Sequence, residues 1–352
     1  MKLAIISLKG ESSSKIAEEA KAFFNKVDLL DLRRIEVHAT SKGLNVLYEG
    51  NPIEEYDCIY VRGSHKYSLL QRTLTEALNK EVYMPIQPRG FTIGHDKFLT
   101  LVELQKNKVS IPTTYLAATV TSAKKILSKV NFPIMMKLSS GTQGKGVMFA
   151  DSVQSANSIL DTLEVFKQPY VIEEYIETNA TDIRVIIAGD KIIAAMKRKA
   201  TKDEMRANIH MGAIGVNYVP NFDIEQIALK ASKALGADIC AVDLLEGLKP
   251  MVIEVNLSPG LQGITKTTGK NLANTIAKFL YENTKKFKSS KTSSDYNNVL
   301  REIDKDKEII INLEIKAEKI RLPDIITKAT GFKDDEEVSI SISKGRLIIK
   351  KM

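Results

Sequence analysis

The chain is poor in the residues that mark secreted and zinc-binding proteins. It has two cysteines, Cys58 and Cys240, four histidines and no tryptophan in 352 residues. Two cysteines exclude a disulfide framework and a four-cysteine zinc site. A single Cys58–Cys240 bridge is an open alternative, but we expect two reduced thiols and a cytoplasmic protein.

Long hydrophobic runs are also missing. No segment reaches the roughly 18 consecutive apolar residues that a membrane-spanning helix requires. The apolar N-terminus, Met1–Leu8, is cut short by Lys9, and it is shorter than a secretory signal. We therefore predict a buried first strand and no membrane partner.

Motifs of nucleophilic catalysis are absent as well. The chain has no Gly-x-Ser-x-Gly elbow and no cysteine–histidine pair with metal-ligand spacing. His95 and His210 adjoin the motifs described below, but a lone histidine is more often structural. The sequence therefore carries no motif of a serine or cysteine nucleophile.

Positive charge is in excess, with 51 basic and 43 acidic residues and a formal net charge of +8. Residues 295–352 carry equal numbers of each sign, so the surplus lies in the first 294 residues. This balance favours an acidic partner, which includes nucleotides, nucleic acids and acidic proteins.

Four regions follow from the patterning. Alternating strands and helices over residues 1–92 predict a small parallel α/β domain. Residues 93–283 hold short strands joined by tight turns, which is typical of α+β structure. We interpret residues 284–306, rich in Ser, Thr, Lys and charge, as a linker. A compact module with a hairpin turn at Lys344-Gly345 is predicted over residues 307–352.

Acidic residues lie inside two neighbouring apolar strands. Asp243 interrupts one, and Glu254 and Asn256 share a face of the next. If residues 246–250 form the turn between them, Asp243 lies opposite Glu254. Two carboxylates and an amide oxygen suit Mg²⁺, with phosphates completing the shell. The alternative is a solvent-facing hairpin with one polar side.

A glycine-rich loop over residues 139–147 follows an apolar strand that contains Lys137. Glycines allow backbone N–H groups to approach phosphate oxygens. The loop is not a Walker motif, because Lys145 is followed by Gly146. A plain hairpin tip is an equal alternative, although a lysine on a buried strand favours an anionic partner.

Two arginines, Arg184 and Arg198, fall on strands predicted to be adjacent. Arginine in this setting commonly binds phosphate or a developing oxyanion. A solvated edge with salt bridges is the alternative for the neighbouring Lys197 and Lys199.

These motifs occur in a fixed order with others. The segments are Asp96-Lys97, Phe132-Pro133 with Lys137, Gly141-Thr142-Gln143-Gly144-Lys145-Gly146-Val147, Glu174-Tyr175-Ile176, Asp182-Ile183-Arg184, Ala195-Met196-Lys197-Arg198, Arg206-Ala207-Asn208, Val242-Asp243-Leu244-Leu245, Glu254-Val255-Asn256 with Ser258-Pro259-Gly260, and Thr267-Thr268-Gly269. Together they resemble the RimK-type ATP-grasp ligases over residues 1–282. The resemblance implies an N-terminal α/β domain and two α+β subdomains that grip ATP.

The resemblance also implies roles for sixteen residues. ATP is contacted at its phosphates, adenine and ribose by Lys97, Lys137, Gly141, Gln143, Gly144, Gly146, Glu174, Tyr175 and Asp182. Two Mg²⁺ or Mn²⁺ ions are held by Asp243, Glu254 and Asn256. The transferred phosphoryl group and the acyl substrate face Arg184, Arg198, Arg206 and Asn208.

The implied reaction joins a carboxylate to an amine. RimK relatives convert an acceptor carboxylate into an acylphosphate, which the amine of an amino acid, most often glutamate, then attacks. Acceptors in the family are a protein tail, acidic carrier proteins and glutamylated coenzymes. Residues 211–215 depart from a Gly-Gly pair common in relatives, which leaves the acceptor open. The alternatives are a small-molecule peptide ligase and a nucleotide-sensing DNA-binding regulator.

The C-terminal module departs from the basic family plan. Residues 320–349 resemble the AbrB-like swapped-hairpin domain, in which two chains interlace and many members bind DNA. The module is neutral and carries the acidic run Asp334–Glu337. DNA affinity depends on clustered cations, so we favour homo-oligomerisation or docking over DNA binding.

Overall fold

The computed structural model describes residues 1–41, 43–78, 82–138, 146–165, 169–200, 214–303, 314–316, 319–321, 331–332, 336–343 and 346–351. Internal contacts divide the chain into two compact units, Met1–Thr284 and Lys285–Met352. Among the helices of the described ranges, none is long and apolar enough to cross a membrane.

The elements are numbered along the chain. The strands are β1 (Lys2–Ser7), β2 (Lys26–Asp31), β3 (Ile35–Thr40), β4 (Gly43–Tyr48), β5 (Asn51–Pro52), β6 (Cys58–Val61), β7 (Thr114–Ala117), β8 (Ile134–Leu138), β9 (Val147–Ala150), β10 (Tyr170–Glu174), β11 (Thr181–Ala188), β12 (Lys191–Lys199), β13 (Ile214–Asn217), β14 (Ile239–Glu246), β15 (Pro250–Asn256), β16 (Glu314–Lys316), β17 (Lys319–Arg321), β18 (Val338–Ser343) and β19 (Arg346–Lys351). The helices are α1 (Glu11–Ala20), α2 (Ser68–Leu78), α3 (Pro88–Gly94), α4 (Lys97–Lys106), α5 (Val120–Leu127), α6 (Val153–Glu164), α7 (Phe222–Leu235), α8 (Gln262–Thr268) and α9 (Leu272–Ile303).

The N-terminal sheet is parallel, with strand order β2-β1-β6. Leu3–Ile6 of β1 are fully buried, as expected for a strand covered on both faces. This confirms the predicted parallel α/β unit and the buried first strand. An antiparallel sheet, β3-β4-β5, was not predicted, because its alternation is short and interrupted by charged residues.

Two antiparallel sheets form the rest of the first unit, which confirms the α+β expectation. Four strands have the order β7-β10-β8-β9, and five have the order β13-β12-β11-β14-β15. The four-stranded sheet packs with α5 and α6 around a hydrophobic core of its own, which we call the small lobe. The five-stranded sheet shares a larger core with the N-terminal sheet. Two separate cores thus face each other in one unit.

Part of the predicted linker is helical. Helix α9 continues through residues 284–303, where Ser, Thr and Lys indicated a linker. The stretch from Leu272 to Ile303 contains no proline or glycine, so none of its residues strongly opposes a helix.

The second unit contains two described antiparallel hairpins, β16-β17 and β18-β19. Ser343 pairs with Arg346, which leaves a two-residue connection between β18 and β19. The predicted hairpin is therefore confirmed, while its turn, Lys344-Gly345, lies outside the described residues.

Candidate active site

A cavity of about 950 Å³ lies between the small lobe and the five-stranded sheet. The region that holds the parallel N-terminal sheet closes one side of it. Ten of the predicted site residues line it: Lys97, Lys137, Glu174, Tyr175, Asp182, Arg184, Arg198, Asp243, Glu254 and Asn256. Residues from distant parts of the sequence therefore meet in one place.

Strand register places the predicted metal ligands together. Asp243 on β14 pairs with Glu254 on β15, as the assumed turn requires. Asn256 follows two residues later on the same face of β15. The Asn256 Oδ1 atom accepts a hydrogen bond of 2.9 Å from the Ser258 N–H. Two carboxylates and an amide oxygen thus line one wall of the cavity.

Cross-strand pairing also builds a buried ion-pair network. Arg184 lies opposite Asp243, and Asp182 lies opposite Arg198. Arg184 donates from Nε and Nη2 to the two oxygens of Asp243, at 2.7 and 2.6 Å. Arg198 donates to both oxygens of Asp182, at 2.5 and 2.7 Å, and its Nη2 lies 3.0 Å from Asp243. Both oxygens of Asp243 are therefore held by arginine.

Electrostatics at these carboxyls follow from burial and the arginines. Burial alone raises the pKa of Asp243, but Arg184 and Arg198 together outweigh it and lower the pKa. Burial raises the pKa of Asp182, against the opposing effect of Arg198. The two arginines thus favour the anionic form of Asp243.

On the small lobe, Lys137 has an anionic partner that sequence reasoning missed. Its Nζ donates to Glu173 Oε1 at 2.5 Å, and Glu173 is buried. The signal was present, because Glu173 precedes Glu174 at the end of an apolar strand. Strand β10 beside β8 brings the two side chains together. A partly buried lysine here is matched by a buried carboxylate.

The end of β10 forms the connection between the two sheets. Glu174 Oε1 accepts from the Thr113 N–H at 2.7 Å, and the Glu174 N–H donates to the Thr113 carbonyl. The Tyr175 ring contacts Phe149 edge-on, with centroids 5.3 Å apart. Glu174, Tyr175 and Ile176 at this connection lie in the cavity wall.

Lys97 lines the cavity, and Gly146 directly precedes Val147, which also lines it. Lys97 opens α4, directly after Asp96, whose side chain caps the helix by accepting from the Leu99 N–H. Gly146 adopts φ +76°, and a Cβ atom there would lie 2.9 Å from Leu138. A glycine is therefore required at the base of the loop. Five predicted residues lie outside the described ranges: Gly141, Gln143, Gly144, Arg206 and Asn208.

Comparison with known proteins gives the family. Residues 94–280 match the model of the RimK-like ATP-grasp domain. A "Probable alpha-L-glutamate ligase" of Mannheimia succiniciproducens is 34% identical over 266 residues, which cover 73% of this chain and 89% of that protein. A protein of the same name from Shewanella loihica is 31% identical, over 81% of this chain and 97% of its own length.

The chain belongs to the RimK-like ATP-grasp family. Solved structures show the same fold. A RimK domain ATP-grasp protein from Sphaerobacter thermophilus has a TM-score of 0.62 at 15% identity, covering 79% of this chain and 99% of that one. The ligase PsnB, solved with a phosphomimetic precursor variant, Mg and ADP, also scores 0.62 at 15% identity, covering 80% and 98%.

Two expectations are confirmed by these relationships. The fold is an ATP-grasp fold, and membership of the RimK-like family makes the chain an ATP-dependent carboxylate–amine ligase. Enzymes of this kind use ATP with Mg²⁺. The match to the AbrB-like module is not among these relationships, because the family match ends at residue 280.

The donor set of the cavity fits a magnesium–nucleotide complex. Among the described residues, no group of three or more histidine, cysteine, aspartate or glutamate side chains forms a metal cluster. The wall instead offers two carboxylates and one amide oxygen, as Mg²⁺ prefers when phosphates complete its shell. No group among the described residues donates a hydrogen bond to the Glu254 carboxylate, so both of its oxygens are available to a metal ion. To act as a metal ligand, Asp243 would have to exchange an arginine for the metal ion.

Proposed function

We propose that the cavity binds ATP and Mg²⁺ and joins the amine of glutamate to an acceptor carboxylate. The observation that carries the proposal is the convergence of ten motif residues on one cavity. Glutamate is supported by the relatives named "Probable alpha-L-glutamate ligase", of which this chain covers 89% and 97%.

ATP is assigned to the space between the small lobe and the five-stranded sheet. Lys97 and Lys137 bind its phosphates, and the backbone around Glu174 and Tyr175 binds the adenine. Asp182 lies nearest the ribose. The loop that contains Gly141, Gln143 and Gly144 and ends at Gly146 covers the triphosphate. Each assignment is a proposal for this chain.

Asp243, Glu254 and Asn256 are proposed to hold the metal, as two Mg²⁺ or Mn²⁺ ions. Bound metal supplies positive charge that makes a triphosphate beside carboxylates tolerable. Arg184 and Arg198 bring two guanidinium groups to the same wall, where they stabilise charge on the transferred phosphoryl group. Arg206 and Asn208 are proposed to contact the acyl substrate.

The reaction then needs no protein nucleophile. An oxygen of the acceptor carboxylate bonds to the γ-phosphorus, and the bond from that phosphorus to ADP breaks. The amine nitrogen attacks the acyl carbon of the resulting acylphosphate, an amide forms, and inorganic phosphate leaves. The amine proton passes to solvent or phosphate. The residues bring three anions together and exclude water.

The acceptor carboxylate belongs to a protein tail, a carrier protein or a glutamylated coenzyme. Several structural neighbours are ligases solved with precursor peptides, which supports a peptide-like acceptor. The ligase is favoured over a nucleotide-sensing regulator, because all three proposed metal ligands and both arginines line the cavity.

The second unit is proposed to be an AbrB-like module that makes the enzyme a homo-oligomer. One face of the β18-β19 hairpin carries Ile340, Ile342 and Leu347, which are 56%, 81% and 45% exposed. The opposite face of β18 carries serines. A second copy of the same hairpin would cover this apolar face.

We also propose domain limits at 1–92, 93–283 and 307–352, and a cytoplasmic location, where the two buried thiols stay reduced.

Phosphate release tests the proposal. MgATP is supplied with each of the twenty amino acids, with and without a cell extract that provides acceptors, and products are identified by mass spectrometry. We expect release that depends on glutamate and on extract, with an acceptor gaining the mass of a glutamyl residue. ATP binding without any stimulated release would contradict the proposal.

A further inference from the structure

One end of the cavity is formed largely by the region of the parallel N-terminal sheet. This end has no part in the roles assigned above. Its wall includes Arg62, the loop Gly63–His65, the start of α1 and the loop that follows Asn256. This end is joined to the proposed metal site through Ser258. Ser258 Oγ accepts from the Gly63 N–H at 3.0 Å, while its own N–H donates to Asn256 at 2.9 Å.

Arg62 is a buried cation with neutral partners. It is only 4% exposed. Its Nε donates to Ser13 Oγ at 3.0 Å, its Nη1 to Tyr60 Oη at 2.8 Å, and its Nη2 to the Pro259 carbonyl at 2.7 Å. Arginine has five N–H groups, so two have no acceptor among the described residues. No carboxylate in that part of the chain pairs with this guanidinium.

The other cations of the cavity wall, which are buried or partly buried, differ in this respect. Arg184 and Arg198 are matched by Asp243 and Asp182, and Lys137 is matched by Glu173. A buried charge without a counter-charge is costly, so its retention beside a cavity indicates that an anion completes the site.

The start of α1 adds to the positive potential beside Arg62. Gly10 precedes the helix and provides no side-chain cap, and residues 10–13 line the cavity. A helix N-terminus favours a negative group. The one acidic side chain at this position, Glu11, points to Lys15, with which it forms an ion pair of 2.6 Å.

We infer that Arg62 and the first turn of α1 bind a carboxylate of the incoming amino acid. This inference rests on the proposed function, in which glutamate reacts through its amine and both of its carboxylates stay unchanged. The carboxylate that reacts belongs to the acceptor and must meet the phosphoryl group near Arg184 and Arg198. A carboxylate of glutamate therefore needs a cation elsewhere in the cavity, and Arg62 provides one with two unused N–H groups.

The test compares amino acids that differ by one charge. Initial rates are measured with L-glutamate, with its γ-amide glutamine and with its α-amide isoglutamine, in the wild type and in Arg62→Gln. We expect the wild type to prefer glutamate over one of the amides on the order of 10- to 100-fold, as one charged hydrogen-bond pair provides. In Arg62→Gln this preference should collapse, while the KM for ATP changes by less than about twofold.

Two further variants separate binding from scaffolding. Tyr60→Phe removes one neutral partner of Arg62 that lies outside the cavity lining but keeps the charge of Arg62, so it should retain the preference. Arg62→Lys keeps the positive charge but loses the planar guanidinium group, so it should retain part of the preference for glutamate. This variant provides a readout if Arg62→Gln does not fold. A merely structural role would raise the KM values for glutamate and both amides equally and leave the preference unchanged.

Two outcomes overturn the inference. A wild type that accepts glutamate and both amides equally well would contradict it, as would an undiminished preference in Arg62→Gln. Either result leaves glutamate-dependent amide formation in place, so the proposed function survives. Absence of amide formation in the wild type would instead contradict the proposed function, and the assignment of Arg62 would fall with it.

Discussion

Asp243 is the residue on which the charges of the cavity converge. It is almost fully buried, it pairs in register with Glu254, and both of its oxygens are bound by arginine. Under the proposed function, metal and Arg184 would compete for the same two oxygen atoms. Metal on its own should bind weakly, and nucleotide phosphates should favour metal binding by giving Arg184 another anion.

Removing Arg184 should strengthen metal binding in the absence of nucleotide. Arg184→Gln frees Asp243 from its bidentate partner, and we expect the Mn²⁺ affinity of the ATP-free protein to rise on the order of tenfold. The measurement is the electron paramagnetic resonance signal of free Mn²⁺ during titration. Arg72→Gln, which breaks an ion pair with Glu76 on the surface, is the control. An unchanged or lower affinity in Arg184→Gln would contradict competition at Asp243.

His95 predicts a pH dependence of stability. Burial, with a smaller effect from His65, lowers the pKa of His95 to about 4. An unfolded histidine titrates near 6.5. Above that pH the residue is neutral in both states. As the pH falls from 6.5 toward 4, the unfolded chain takes up a proton first, so the free energy of unfolding should fall by up to about 3 kcal/mol.

Chemical denaturation at pH 7.5, 5.5 and 4.5 measures this effect. His95→Gln should show a shallower loss of stability on acidification, while His38→Gln, at an exposed position on β3, should follow the wild type. The same slope in all three proteins would show that His95 does not control this pH range.

At the scale of elements, strand order decides which side chains meet. Turn length was enough to predict that Asp243 lies opposite Glu254, since the two strands are consecutive in the chain. The Arg184–Asp243 and Lys137–Glu173 pairs were not predictable in this way. Each pair joins strands far apart in sequence. The spacing of residues along one strand predicts which face a side chain lies on, but it does not predict which strand lies beside it. Arg62 was missed for the same reason.

The small lobe has its own hydrophobic core. A substitution that leaves a void in this core should therefore destabilise the small lobe more than the rest of the first unit. Leu160 on α6 is fully buried in that core. Leu160→Ala should cost about 2–5 kcal/mol and accelerate hydrogen exchange in β7–β10 more than in β11, β12, β14 and β15. Leu244→Ala, in the larger core, should show the opposite distribution. Equal acceleration in both sheets by both variants would show that the two cores unfold as one.

At the scale of the whole molecule, sequence and structure agree on the architecture of the first unit and differ in the connection to the second. The parallel N-terminal sheet and the two antiparallel sheets built from β7 to β15 followed from apolar runs and tight turns, whereas the sheet β3-β4-β5 did not. The helical form of residues 284–303 did not, because composition resembles a linker wherever Ser, Thr and Lys dominate. Helix formation there depends on the absence of glycine and proline, which is a weaker signal.

Assembly through the second unit is testable with a matched pair of variants. Ile342→Lys charges the apolar face of the β18-β19 hairpin, and Ser341→Lys charges the opposite face one residue away. Light scattering after size-exclusion chromatography should show an oligomer for the wild type and Ser341→Lys, and a lower mass for Ile342→Lys. A monomeric wild type, or equal masses for all three proteins, would contradict the proposed interface.

The most direct test of the central claim joins the cavity to the reaction. Glu254→Gln removes the carboxylate opposite Asp243. Glu246→Gln removes an exposed carboxylate on the same β14-β15 hairpin, where it pairs with Lys197 of β12. Glutamate-dependent phosphate release from MgATP is measured for both variants and the wild type. We predict a loss on the order of 100-fold or more in kcat for Glu254→Gln, and activity close to wild type for Glu246→Gln. Wild-type turnover in Glu254→Gln would show that the reaction does not take place at this site.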